Sequence, residues 1–280
     1  MRASWPATGL PARRPDPPTG NPNTPTQPSR GERAPLLRLP GRDLKELLGD
    51  VVPCDHARQT LADRYADREI GRPLEGRWRV LDLGCGAGGS VDLFRGRDPD
   101  VQWVGIDVPG SPEAAERIRS DARFEVFDGV TVPFEDGSFD LVYCKQVLEH
   151  VRRPESLLAE VRRVLATSGY LAGSTSQLEP FHSLSLWNYT PFGLAELAAA
   201  AGLTLIEVRP GVDVFTLLGW RLLGSRACFA RWWGGQSPFN RAIDALGRFR
   251  GLGPRELNAT KLVFSAQFTF VARRSHPLIA

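Results

Sequence analysis

An α/β fold with a largely parallel sheet is the class this sequence predicts, on three observations. Short apolar runs alternate with helical segments along most of the chain. The first of those runs ends in a cluster of glycines. The composition, 42% hydrophobic and 24% charged over 280 residues, is that of an ordinary globular protein. Strands separated by helices form parallel sheets covered on both faces. Such sheets bind ligands outside the carboxyl ends of their strands. The length allows one large domain or two small ones.

The elements follow in order. Residues 1–40 hold ten prolines and six arginines with little periodic apolar pattern. They are predicted to form a disordered Pro/Arg-rich tail ahead of a folded domain at 41–280, because too little surface can be buried there to offset chain entropy. Leu44, Leu47, Leu48, Val51 and Val52 repeat at helical spacing, and Ala57, Leu61 and Tyr65 continue the pattern. Strands are predicted at 78–83, 101–108, 124–127 and 139–143, then a helix over 154–166 and a strand at 170–174. A second helix covers 191–201 and stops at Gly202. Strands at 203–208 and 261–271 close the pattern. Residues 213–258 form an aromatic-rich insertion before the last strand, with Phe215, Trp220, Phe229, Trp232, Trp233 and Phe239. Three readings of its Asp213–Trp233 part stand: a lid over an apolar substrate, a helix on a membrane surface with Arg221, Arg226 and Arg231 toward headgroups, or packing against the core or a second subunit of a homodimer.

Charge and cysteine use exclude several classes. The net charge is +3. In residues 1–40, six arginines against Asp16 and Glu32 leave +4, so the folded body sums to −1 and carries no nucleic-acid footprint. No apolar run of about 18 residues predicts a transmembrane helix, and no apolar leader predicts secretion. Cys54, Cys85, Cys144 and Cys228 lie far apart with no CxxC pair, which fits a reducing cytoplasm.

The sharpest motif is Val80-Leu81-Asp82-Leu83-Gly84-Cys85-Gly86-Ala87-Gly88-Gly89. An apolar strand runs into a glycine turn, where positive φ is cheap and a ligand can approach the backbone. The turn feeds a helix whose free N–H groups attract negative charge. A tight strand-to-helix turn also uses glycines for purely structural reasons. Gly84, Gly86 and Gly89 satisfy G-x-G-x-x-G as well, with Asp107 at a suitable distance for a ribose. A nicotinamide or flavin dinucleotide is therefore a rival ligand that local spacing does not separate.

Wider context adds to this. Asp82-Leu-Gly84-Cys85-Gly86-Ala-Gly88, Gly105-Ile-Asp107, Phe127-Asp128-Gly129, the stretch Val132-Pro-Phe-Glu-Asp-Gly-Ser-Phe-Asp140, Val147-Leu-Glu149-His150 and Glu160-Val-Arg-Arg163 follow one another in order. This series resembles the class I S-adenosylmethionine-dependent methyltransferases, most nearly the branch that methylates quinone precursors, sugars and polyketides. The resemblance covers about 78–210, with a weaker echo at 261–273. It implies a Rossmann-like seven-stranded methyltransferase fold, a doubly wound sheet with an antiparallel last strand, and S-adenosyl-L-methionine as cofactor. Asp82 would face the cofactor's amino-acid end. Gly84, Cys85, Gly86 and Gly88 would line its methionine and ribose. Asp107, with Val108 beside it, would accept both ribose hydroxyls. Asp128, with Gly129, would meet the adenine amino group. Lys145 and Gln146 would border the methionine and the acceptor.

The chain departs from the family in two places. The Pro-Gly-Gly turn before strand five is Ala166-Thr-Ser-Gly169 here. The Glu-x-x-Glu-His metal motif of some quinone-type enzymes is Gln146-Val-Leu-Glu149-His150, one carboxylate short, so no metal is expected. No Asn/Asp-Pro-Pro-Tyr segment occurs, which disfavours transfer to amide or exocyclic amino nitrogens.

Transfer from a sulfonium is an in-line displacement, for which a protein mainly supplies positioning. A base is needed only where the acceptor holds its proton at neutral pH. His150, after strand four, and His182, after strand five in a loop with Ser183, Trp187, Asn188 and Tyr189, are the candidates; His56 and His276 read as surface residues. The expected function is methyl transfer to a small organic acceptor, apolar or lipid-like on one reading, at oxygen. The rivals are an NAD(P)-dependent oxidoreductase and a methyltransferase-like binding module without turnover, the latter weakened by the presence of Asp82, Asp107 and Asp128.

Overall fold

A computed structural model describes residues 40–225 and 227–275. The tail expected at 1–40 lies outside the described residues except for Pro40, as do Arg226 and His276. Seven strands form one sheet: β1 (Arg79–Leu83), β2 (Gln102–Asp107), β3 (Arg123–Val126), β4 (Phe139–Lys145), β5 (Leu165–Ser176), β6 (Leu203–Pro210) and β7 (Gln267–Arg274). Their order is β3-β2-β1-β4-β5-β7-β6. β7 runs antiparallel to both neighbours, and the pairings among β1 to β5 are parallel. This matches the seven-stranded, doubly wound sheet with an antiparallel last strand that the resemblance implied.

The apolar runs become central strands because both faces are covered. Side chains alternate across β1: Leu81 and Leu83 join one buried cluster, Val80 the other. The first cluster takes in α1 (Arg42–Leu48) at Leu48, α5 (Pro154–Val164) at Leu157, Leu158, Val161 and Val164, and α6 (Pro191–Ala200) at Leu194 and Ala198. Those helical spacings put one stripe of each helix on the sheet. The second cluster holds Tyr65 and Ala66 of α2 (Arg64–Asp67) and Val91 and Phe94 of α3 (Ser90–Arg95). Fully burying each large apolar side chain contributes roughly 1.5–3 kcal/mol.

Two expectations are corrected. The last strand does not span 261–271: residues up to Val263 belong to a helix, and β7 starts at Gln267. The run Leu262-Val-Phe is apolar at either period. The proline at the first turn (Pro254) and the burial of Leu257, Ala259 and Leu262 decide for helix. Nor does the helical pattern continue through Ala57 and Leu61. That stretch gives its hydrogen bonds to tertiary partners, Thr60 N donating to Pro210 O at 2.8 Å, and only Tyr65 lies on the short α2.

The aromatic-rich residues 213–258 are helical: α7 (Val214–Leu222), a 3₁₀ turn (Ala227–Trp232) and α8 (Pro238–Phe249), followed by α9 (Pro254–Val263), the helix that replaces the expected strand start. A short α4 (Pro112–Ala115) lies between β2 and β3. Fully buried Asp213 caps α7 by accepting from Thr216 N at 2.9 Å, and its other oxygen accepts from Ser237, which caps α8. Among the described residues no helix is long and apolar enough to cross a membrane.

Candidate cofactor and acceptor site

The register of the central strands brings Asp107, Lys145 and Ser174 to one edge of the sheet, since Asp107 pairs with Val126 and Lys145 with Ser174. The glycine loop crosses that edge from β1 to α3. Gly84 has φ +69 and a Cβ there would lie 2.4 Å from Val147; Gly88 has φ +81 and a Cβ would lie 2.7 Å from the Phe124 ring. Both conformation and space demand glycine. Gly84 N and Cys85 N donate to Ile106 O at 2.8 and 3.1 Å, tying the loop to β2. Cys85 is buried beneath it, and burial pushes its thiol up to about 12, so it is inert.

Three acids were expected here. Asp82 is buried and accepts from Ser90 Oγ at 2.5 Å; Trp103 Nε1 in turn donates to Ser90 Oγ at 2.9 Å. Burial raises its carboxyl to about 7, against the opposing pull of the Ser90 hydroxyl and the Lys145 charge. Asp107 is 9% exposed. Its Oδ2 accepts from Gly86 N and its Oδ1 from Val108 N, both at 2.8 Å, which leaves each oxygen a lone pair for a further donor. Asp128 is exposed, and one oxygen accepts from Val130 N at 2.8 Å and Thr131 N at 2.6 Å. Those backbone donors hold its carboxyl below the ordinary carboxylate value. Gly129, with φ +84, packs beside half-exposed Val108.

Lys145 is placed by a residue that the sequence reading passed over. Its Nζ donates to Asp63 Oδ1 at 2.7 Å, and Tyr143 OH donates to the same oxygen at 2.8 Å. Asp63 sits beside α2, far from every motif, so no local signal marked it.

On the acceptor side the chain leaves β4 through Gln146, a non-glycine at φ +57, into a 3₁₀ turn (Leu148–His150). Glu149 is fully buried, accepts from Thr175 Oγ1 and Ser176 Oγ at 3.0 Å each, and is pushed up by that burial. Its backbone carbonyl accepts from Leu186 N at 2.7 Å and Trp187 N at 3.1 Å, which pins the loop bearing His182. The result brings both predicted histidines together, their ring centres 5.3 Å apart. His182 Nδ1 lies 3.4 Å from Pro180 O and 3.7 Å from Glu179 Oε1, and buried His150 Nδ1 has no hydrogen-bond partner. Glu149, His150 and His182 offer ligand atoms within 4.8 Å of one another. One carboxylate and two imidazoles suit a borderline cation such as zinc better than magnesium. The motif arithmetic that led to an expectation of no metal did not include His182, which arrives from a different loop.

His182 also lines a cavity of about 500 Å³ with Glu179, Ser183, Leu217, Trp220, Arg221, Trp233 and Gln267. A second, of about 230 Å³, shares Trp233 and Gln267 and reaches Lys145, Gln146 and Ser174. The aromatic segment thus walls the space in front of His182. Arg221 does not point toward headgroups as the membrane reading had it: it donates to Glu179 Oε1 at 2.7 Å and to the carbonyls of Pro180 and Phe181.

Comparison with known proteins bears on this site. Residues 81–173 match the family model described as a methyltransferase domain. The chain is 37% identical over 115 residues to trans-aconitate 2-methyltransferase of Variovorax paradoxus, covering 40% of this chain and 44% of that protein. It is 36% identical over 97 residues to ajmaline N-methyltransferase of Rauvolfia serpentina, covering 31% and 32%. The matched part is thus less than half of either relative. Among solved structures, phosphoethanolamine N-methyltransferase 2 of Haemonchus contortus, in complex with S-adenosyl-L-methionine, aligns with TM-score 0.50 at 16% identity over 76% of this chain and 52% of that one. Geranyl diphosphate methyltransferase, in complex with GPP and sinefungin, aligns with TM-score 0.50 at 18% identity over 76% and 77%. The choice that glycine spacing left open between a sulfonium nucleoside and a dinucleotide falls to the former. The matched residues run from the strand entering the glycine loop to β5 beside the histidine pair, and over that stretch the chain is similar to the methyltransferase domain family.

Proposed function

We propose that this protein transfers the methyl group of S-adenosylmethionine to an oxygen of a small organic acceptor seated in the cavity before His182, with His182 as the general base. The observation that carries the reading is the position of His182. It lies on the cavity wall, edge to face with His150, with Nδ1 turned toward Pro180 O and Glu179. A proton on Nδ1 donates to Pro180 O, with the Glu179 carboxylate close by, and leaves Nε2 free to accept another.

Bound cofactor supplies a methyl group already activated on sulfur. Asp82 suits its ammonium, Asp107 its ribose hydroxyls, and Asp128 its adenine amino group. Lys145 and Gln146 border the passage to the acceptor. His182 Nε2 would take the acceptor's hydroxyl proton as the oxygen–carbon bond forms and the cofactor's sulfur–methyl bond breaks, with S-adenosylhomocysteine as the leaving group. Leu217, Trp220 and Trp233 give the cavity apolar walls, and Phe181, Leu184 and Leu222 stand exposed on neighbouring segments. An acceptor with an apolar body and one polar end fits that lining.

Incubation with methyl-labelled cofactor and fractionated cell extract tests the reading. Label is expected in an organic-soluble small molecule, as a methyl ether or ester by mass analysis. Label confined to protein or nucleic acid would overturn it.

A further inference from the structure

We infer that Arg117 is a positioning residue for the cofactor: it grips the glycine loop from its carbonyl side and thereby sets the Asp107 carboxylate, an inference that rests on Asp107 holding the ribose. Gly86 is held from two directions. Its N–H donates to Asp107 Oδ2 at 2.8 Å. Its carbonyl accepts from Arg117 Nε at 3.0 Å and Nη2 at 2.7 Å. Moving Gly86 would move the donor that orients Asp107.

Arg117 follows α4, outside every motif of the sequence. Its guanidinium lies 3.9 Å from the centre of the Phe124 ring, and Nη2 also reaches Cys85 Sγ at 3.5 Å. Phe124 fills the space under Gly88 and meets Trp103 edge-on at 5.3 Å. Trp103 in turn supports Ser90, the donor to Asp82. A layer of side chains therefore underlies the loop, reaching Asp82 through Ser90 and Asp107 through the Gly86 backbone, with Arg117 its cation.

Arg119 makes a second grip, donating to Gly88 O at 2.9 Å, but its remaining donors serve Asp92 and Asp121 in an exposed cluster. Arg117 pairs with no carboxylate among the described residues, so its fork is spent on the loop. A planar fork that donates twice to one carbonyl, stacked on a ring, fixes orientation in a way that a lysine does not. Holding the loop before the ligand arrives removes an ordering cost from binding.

The test is titration of the full chain with S-adenosylhomocysteine, which needs no acceptor. Arg117→Met keeps a stem on Phe124 and removes the donors. It is expected to raise Kd about tenfold, with the melting temperature held within about 2 °C. Arg117→Lys should fall between the two. In an Asp107→Asn background, Arg117→Met should add less than about twofold, because the group it positions has already been altered. An unchanged Kd in Arg117→Met, or losses that simply multiply in the double variant, overturns the inference. Wild-type affinity in Asp107→Asn alone would remove the ribose reading itself and this inference with it.

Discussion

The imidazoles of His150 and His182 meet edge to face, with 5.3 Å between centres and 82° between planes, although they come from the ends of different strands. Only His182 also lines the large cavity. Replacing it by Ala should lower kcat at least about 100-fold while S-adenosylhomocysteine affinity stays within about twofold. His150→Ala, which removes a neighbour of the base, should cost about tenfold. Steady-state rates with the acceptor found by labelling check both. Equal turnover in His182→Ala would exclude it as base.

The same two rings stand with Glu149 in a potential cation site, so the base reading has a direct competitor. If His182 works as a base, prolonged EDTA treatment and desalting leave the rate within about twofold. Activity lost on chelation and restored by zinc or manganese would assign the histidines to a metal instead.

Asp82 gives a pH dependence. Its carboxyl, raised to about 7 by burial, is largely protonated in the free protein below that pH. An ammonium ligand prefers the carboxylate. Calorimetric affinity for S-adenosylhomocysteine should therefore rise between about pH 6 and pH 8 and then level. Asp82→Asn should weaken binding at least about tenfold and flatten that profile.

The same burial has a cost in stability. Between the ordinary carboxyl value of 3.8 and about 7, the native state holds a proton at Asp82 that the unfolded chain has lost. This group's contribution therefore declines as pH rises through that window. At pH 8, Asp82→Asn should melt a few degrees above wild type, a gain that vanishes near pH 4. A melting curve lowered at pH 8 would contradict this.

Asp213 joins two helix caps in one fully buried carboxylate. Asp213→Ala should lower unfolding free energy by about 2 kcal/mol, from a lost cap and an orphaned serine. Urea unfolding measures it. Cofactor affinity should hold, because the loop and its acids lie elsewhere in the fold.

The sheet was legible because its signal is local. Runs such as Val80 to Leu83 and Leu141 to Cys144 are buried on both faces and carry little polarity. The glycines of the turn were legible because positive φ and close approach admit few residue types. The boundary at 261–267 was not, since a short apolar run reads the same at either period and packing of α9 arbitrates. Asp63, Glu179 and Arg117 were also not legible: each is an ordinary surface-type residue in sequence, given its role by a partner far away along the chain.

By itself the sequence determined the parallel core and the glycine turn at the carboxyl end of β1, because short-range periodicity and glycine stereochemistry are written in neighbouring residues. Tertiary structure alone decided that His150 and His182 share one site with buried Glu149, that the aromatic segment walls the cavity before them, and that Arg117 braces the loop from beneath. Those contacts arise where separate elements meet, and their geometry depends on how the sheet stacks its connections, which residue order does not record.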